Sequence, residues 1–250
     1  MLEDLLALIA PPACAVCGDG CEVRWRLCER CERALRGQAP VWSAVPGIEE
    51  TWSAAPYDGA ARELVGALKF RARVGLADNA ASLIAGRVPC DLLGGAIVPV
   101  PAAPARHRRR GFDAAEAIAA SLAKRTGLAL SPCLSRTQSA RQVGRRRSER
   151  LADPPSVRAV SPVPPRAVLV DDVMTTGATL AACSVALRGA GSSQVVAVTL
   201  AASMPSRKRL GAKARGRRID GHLPPNERRE CADRGQGAKH GSDGRASPPR

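Results

Sequence analysis

Between Arg166 and Arg188 the chain reads RAVLVDDVMTTGATLAACSVALR, and this run limits the available folds more than any other feature. An apolar strand, Ala167 to Val170, ends at two adjacent acids, Asp171 and Asp172. A short loop follows, and Gly177 opens an Ala- and Leu-rich helix. A strand with no polar alternation is buried on both faces, which requires a sheet covered on both sides. Strand, tight loop and helix in that order make one half of a parallel α/β unit, whose ligands sit at the carboxyl ends of the strands.

The same alternation extends from about residue 50 to 202. A strand near TWSAAPYD precedes the helices GAARELVGALKF and GLADNAASLIAGRV. Next come the buried strand AIVPVP, the helix FDAAEAIAASLAKRTG, the RAVLVDD strand, the helix ATLAACSVALRGAG and the strand QVVAVTLAA. The expected fold is doubly wound α/β, a mostly parallel sheet with helices on both faces. Residues 135–166, rich in Arg and Pro, read as a long mobile loop.

The loop after the acids has its own chemistry. Thr175, Thr176, Gly177, Ala178 and Thr179 offer successive backbone N–H groups, three hydroxyls and the positive end of a helix dipole, a cradle for a phosphate monoester. A Walker A loop would need GxxxxGK[ST], and neither the lysine nor the spacing is present. Asp171 and Asp172 are adjacent on an extended strand, so their side chains diverge. That suits two vicinal hydroxyls or assistance to a metal-bound polyphosphate better than a shared proton.

Five of the nine cysteines fall in residues 13–36. Cys14-x2-Cys17 and Cys28-x2-Cys31 are separated by ten residues, a spacing that lets four thiolates surround one structural Zn2+. The metal would stabilise a segment too small to have a core of its own. A redox pair would need only one CxxC in a βαβ setting, and a disulfide scaffold would need an oxidising compartment. Cys21 is a fifth thiol able to replace a ligand. Cys90, Cys133 and Cys183 stand singly in apolar surroundings and read as core residues.

Three sections are therefore expected: an N-terminal helix and zinc ribbon at 1–37, an α/β domain at 50–202 and a basic disordered tail at 203–250. In the first, Leu2, Leu5, Leu6 and Ile9 share one helix face that Pro11 and Pro12 terminate. Residues 204–250 carry 13 Lys and Arg against five Asp and Glu, more than half of the chain's net +15, and lack a hydrophobic period. No apolar run approaches the roughly 18 residues that a membrane-spanning helix needs. Glu3 and Asp4 stand where a signal peptide carries positive charge, so a cytoplasmic location is expected. The three histidines, His107, His222 and His240, offer no Ser/His/Asp set.

From Val168 to Leu180 the sequence resembles the type I phosphoribosyltransferases, whose signature is an apolar strand end, a paired acid and a TTGxT loop. Together with the CxxC…CxxC ribbon, the chain from about Pro12 to Ala202 is similar to ComF-type proteins, a family linked to DNA uptake in natural competence. The similarity includes Tyr57-Asp58-Gly59, Leu68-Lys69-Phe70, Val98-Pro99-Val100-Pro101, Arg110-Gly111-Phe112, and Arg136-Thr137 followed by Gln142. Three positions depart from the family pattern. Asp113 follows Arg-Gly-Phe where Asn is usual, Asp153 follows Arg150 where Asn is usual, and Ala72 stands where Gly usually follows Lys-Phe.

The resemblance implies that Asp171 and Asp172, the catalytic candidates, hold the ribose 2- and 3-hydroxyls of phosphoribosyl pyrophosphate (PRPP). It implies that residues 175–179 hold the 5-phosphate and that Mg2+ accompanies the ligand. Lys69, ending a helix at a loop, is placed to meet pyrophosphate. Arg110, with Arg106, Arg108 and Arg109, forms a basic run able to pair polyphosphate oxygens or nucleic-acid backbone. The expected function is PRPP or nucleotide binding with phosphoribosyl transfer to an acceptor that the residues do not name. The alternative is a non-catalytic accessory of DNA uptake or processing that binds single-stranded DNA or a helicase-like partner. Three Trp, two Phe and one Tyr are too few for an extended base-stacking platform.

Overall fold

The computed structural model describes residues 13–21, 27–70, 75–103, 112–136 and 156–203. The expected helix at 1–9, Arg110 and its neighbouring arginines, Ala72, Gln142, Asp153 and the tail from residue 204 lie outside the described residues. Five α-helices are described: α1 (Glu29–Gly37), α2 (Gly59–Phe70), α3 (Leu76–Ala85), α4 (Ala114–Thr126) and α5 (Ala178–Gly189). Eight strands are described: β1 (Val41–Ser43), β2 (Thr51–Pro56), β3 (Ala96–Pro99), β4 (Ala129–Leu130), β5 (Leu134–Arg136), β6 (Val157–Ala159), β7 (Arg166–Met174) and β8 (Gln194–Ala202).

Six strands form one sheet in the order β1-β2-β8-β7-β3-β4. The β2–β8, β8–β7, β7–β3 and β3–β4 pairs are parallel, and only β1, at the edge, runs antiparallel to its neighbour. The fold is thus mixed α/β with a mostly parallel sheet, preceded by a four-cysteine cluster.

Side-chain parity along β7 explains why both faces are covered. Val168 and Val170 join Val196, Val198 and Leu200 of β8 in one core, closed by Leu64 and Leu68 of α2, Leu76 and Ile84 of α3, and Ile118 and Leu122 of α4. Ala167 and Leu169 point to the other face, where Val195 and Ala197 meet Leu180, Cys183 and Leu187 of α5. Each large aliphatic side chain buried this way contributes about 1.5–3 kcal/mol, so the sheet is held between two apolar layers and only its strand ends are free for polar work.

Residues 135–166 are not a loop throughout. Leu134–Arg136 and Val157–Ala159 pair antiparallel as a separate ribbon, Leu134 opposite Ala159 and Arg136 opposite Val157. Leu134 and Cys133 are buried against the α5 side, with Val157 and Ala159 packed alongside. Those few apolar residues, dispersed among Arg and Pro, suffice to dock both ends of the segment. Cys133 and Cys183 are buried as expected, but Cys90 is exposed, at the start of the 3-10 turn Cys90–Leu92 rather than in the core. Its apolar neighbours Val88 and Leu92 supply the burial there.

The cysteine segment packs on the α/β domain. Cys14, Leu27, Cys31 and Leu35 belong to the same core as α2 and α3. Arg87, after α3, donates to the carbonyls of Leu35 and Arg36 at the end of α1, and Gln38 Nε2 donates to Asp58 Oδ1 at 2.7 Å. Carbonyls at a helix end have no partner within the helix, and a guanidinium there supplies one.

No helix among the described residues is long and apolar enough to cross a membrane.

Candidate functional site

The chain reverses direction across the sheet between β3 and β7. After β3 it crosses through α4 to β4 on one side, and after β7 it crosses through α5 to β8 on the other. In a parallel sheet the crevice at such a reversal, outside the carboxyl ends of the strands, is the natural ligand position. Asp171 and Asp172 lie there. The strand does not end at the two acids but continues to Met174, because Val173 and Met174 keep pairing with Ala201 and Ala202 of the equally long β8. On the other side β3 is shorter, its pairing stopping at Pro99 opposite Val170. The acids therefore begin where β7 outruns its neighbour β3.

The side chains diverge. Asp172 continues the face of Val168 and Val170, is buried, and accepts an ion pair from Lys69 Nζ at 2.8 Å. Asp171 continues the opposite face, half-buried, and its Oδ1 accepts from the Asp172 backbone N–H at 2.8 Å. Burial and the neighbouring Asp172 carboxylate push the Asp171 carboxyl well above the usual range, against the opposing pull of the Asp172 N–H and the Lys69 ammonium. A carboxylate held in this way has unmet demand for a cation or for hydroxyl donors.

Beyond Met174 the chain turns through exposed Thr175 and Thr176, passes Gly177, and enters α5 at Ala178. Gly177 is left-handed, φ +76°, and a Cβ there would stand 3.0 Å from Val45 Cγ2. Both facts require glycine at this point of the loop. Thr176 Oγ1 accepts a long hydrogen bond, 3.4 Å, from Ala178 N–H. The first N–H groups of α5 thus face the same end of the sheet as the two acids.

The helix that carries this loop is clamped by residues 44–50. Ser184 Oγ and Arg188 Nε both donate to the Gly47 carbonyl, at 2.5 and 2.9 Å. Arg188 also pairs with Glu49 at 2.5 Å, and Glu49 Oε2 accepts from Val195 N–H at 2.9 Å. Burial works against ionisation of Glu49, but Arg188 and the Val195 N–H outweigh it and hold the carboxyl below its usual range. Nothing in the sequence near residue 45 announces this clamp, since its partners lie some 140 residues away.

A second support surrounds β3. Asp113, the N-cap of α4, accepts from Ala115 N–H through Oδ1 and from Ala102 N–H through Oδ2, both at 3.0 Å. Two acceptor oxygens are needed, which an asparagine does not offer. The departure to Asp at this position is thereby given a structural role, and the Asp113-Ala-Ala-Glu116 spacing, a capping-box pattern, was its sequence signal. Pro99, Val100, Pro101, Ala102, Asp113, Glu116, Pro132 and Leu134 line a cavity of about 140 Å³ beside this cap.

In the N-terminal segment the sulfurs of Cys14, Cys17, Cys28 and Cys31 all lie within 4.8 Å of one another, Cys17 and Cys28 at 3.5 Å. Cys14 and Cys31 are buried. Burial opposes ionisation of Cys14, but backbone N–H groups at Cys17, Cys28 and Val16, with the Cys17 thiol, bring it down to about 6. Burial, with the other three sulfurs, pushes the Cys31 thiol up. Four sulfurs at this separation, with N–H groups directed at one of them, fit a tetrahedral thiolate site for a structural metal such as zinc. Cys21 is not part of the four-sulfur group.

The structure thus brings Lys69 to Asp172 and sets both acids and the 175–179 loop on consecutive parts of one strand-loop-helix unit. Arg110 lies outside the described residues. No family model matches the chain, and no curated protein matches it. Among solved structures, the fold is similar to that of a glutamine PRPP amidotransferase from B. subtilis complexed with ADP and GMP. The TM-score is 0.35 and the identity 17%, over 66% of this chain and 38% of that one. The chain therefore spans well under half of that protein.

Proposed function

We propose that the protein binds PRPP and transfers its phosphoribosyl group to an acceptor. The observation that carries this reading is the unit of β7, the acid pair, the left-handed Gly177 and α5 at the sheet's reversal point. It supplies carboxylates for two vicinal hydroxyls and an N–H cradle for a phosphate, separated only by the strand residues Val173 and Met174.

In this reading Asp171 and Asp172 hold the ribose hydroxyls, and Thr175, Thr176, Gly177, Ala178 and Thr179 hold the 5-phosphate. Lys69 and Arg110 meet the pyrophosphate. Mg2+ would supply charge neutralisation between pyrophosphate and ribose oxygens, and the free demand of Asp171 for a cation fits its presence. The acids and the loop fix the sugar so that the bond to the leaving pyrophosphate faces the acceptor. Positive charge developing on the sugar ring is then stabilised by the carboxylates rather than by a nucleophilic side chain.

The combination of this unit with a four-cysteine ribbon supports a ComF-type assignment, with a ribbon at 1–37, a phosphoribosyltransferase-like domain at 50–202, a basic tail at 203–250 and a cytoplasmic role in DNA uptake. The net charge of +15 also supports the non-catalytic alternative, in which the pocket senses PRPP or a nucleotide while basic segments engage single-stranded DNA or a DNA-processing protein. One experiment addresses both. Calorimetry of the full chain with PRPP and Mg2+ is expected to show binding that D171N/D172N abolishes, followed by pyrophosphate release with one of a panel of nucleobase and amine acceptors. Binding without release across the panel favours the accessory role. No binding to the parent protein overturns the PRPP reading.

A further inference from the structure

Lys69 and Asp172 form a contact between α2 and β7 that does more than fill space. The Nζ–Oδ1 distance is 2.8 Å, and the two side chains are only 21% and 11% exposed. An ion pair so far withdrawn from water is stronger than a surface pair. Its position is unusual for a purely structural bridge, because Asp172 is one of the two acids at the crevice. Asp171, beside it, has no such partner among the ion pairs of the described residues, and burial together with the neighbouring Asp172 carboxylate raises its carboxyl pKa. One carboxylate of the pair is therefore neutralised from within the protein while the other is not. With its ammonium in place, Lys69 uses Asp172 Oδ1 and withdraws charge from the carboxylate that would accept a sugar hydroxyl.

We infer that Lys69 is a displaceable cation that makes the site selective for a sugar 5-phosphate bearing a pyrophosphate over the same sugar phosphate without one. This rests on the PRPP reading and deepens it. A lysine is a compact charge on a flexible four-carbon stem, able to move between acceptors without the fixed fork geometry of arginine. Pyrophosphate presents several negative oxygens and draws the ammonium off Asp172, so the cost of opening the pair is offset by a new charge-assisted contact. Ribose 5-phosphate carries its anion only at the end that the 175–179 loop receives. It offers nothing to replace Asp172, and the cost of opening the pair is subtracted from its affinity.

The test is calorimetry of the full chain with ribose 5-phosphate and, separately, with PRPP and Mg2+, on the parent, Lys69→Met, Lys69→Gln and Lys69→Arg. Both neutral variants are expected to bind PRPP at least tenfold more weakly and ribose 5-phosphate about three- to tenfold more tightly than the parent. Lys69→Arg, which keeps a cation, is expected to keep the parental order. A crossing of sign between two ligands is not what a loss of folding or of general stability produces. If ribose 5-phosphate affinity is unchanged or falls in the neutral variants while PRPP affinity falls, Lys69 is a plain pyrophosphate ligand or a structural residue and the inference is overturned. If the parent binds neither ligand, the PRPP reading fails and takes the inference with it.

Discussion

Gly177→Ala tests the loop through two separable costs. The backbone at Gly177 has φ +76°, a conformation that costs a residue with a Cβ about 1–2 kcal/mol. The new Cβ would also meet Val45 Cγ2 at 3.0 Å and Cγ1 at 3.4 Å, and Val45 is buried, so it can yield only by repacking. Overpacking of that kind costs about 1–3 kcal/mol. The total, roughly 2–5 kcal/mol, corresponds to a Tm lower by about 4–20 °C for a domain of this size. Urea unfolding of the parent, Gly177→Ala, Val45→Ala and the double variant separates the costs. Val45→Ala alone loses about 1–3 kcal/mol of burial. Because it also removes the obstacle, the double variant should be more stable than the sum of the singles by the steric part. Gly177→Asn, which tolerates the left-handed region, should retain mainly the steric cost. Strict additivity would refute the contact with Val45, and a Gly177→Ala protein within about 0.5 kcal/mol of the parent would refute both terms.

Asp171→Asn should stabilise the fold at neutral pH in the absence of divalent cations while abolishing PRPP binding. The folded-state pKa of Asp171 is raised, so stability is lost as pH climbs from the ordinary Asp range through that raised value, at about 1.4 kcal/mol per pH unit within the window. The variant's advantage in thermal melts should therefore shrink as pH falls into the ordinary Asp range, and an advantage independent of pH contradicts the assignment. Asp113→Asn keeps the helix cap but leaves Ala102 N–H without its acceptor, and should cost about 1 kcal/mol in urea unfolding; parental stability would show that the second bond contributes nothing. Purified protein should contain close to one zinc per chain, and chelation should expose residues 13–37 to protease. Substoichiometric metal with a segment that still resists cleavage would count against the thiolate site.

Much of this architecture is local in origin and can be read along the chain. Helix α2 from 59 to 70 and strand β8 from 194 to 202 match the expected segments because apolar periodicity and Gly boundaries are local signals. The two CxxC knuckles and the Asp-Asp…TTGAT run are likewise compact, since the chemistry that they serve needs neighbours in sequence. The rest depends on partners far apart in the chain. The extension of β7 past its acids to Met174 follows from the length of β8, the edge strand Val41–Ser43 exists because β2 pairs with it, and the Leu134–Arg136 ribbon needs Val157–Ala159. Val45 beneath Gly177, the Glu49–Arg188 clamp and the withdrawal of Lys69 onto Asp172 have no signature within any window of sequence. The sequence by itself determined which residues carry charge, phosphate affinity and thiolates, because those are properties of side chains and short spacings. Only the tertiary structure decided which carboxylate is neutralised and which is left wanting a cation, because that depends on which helix end packs over which strand end.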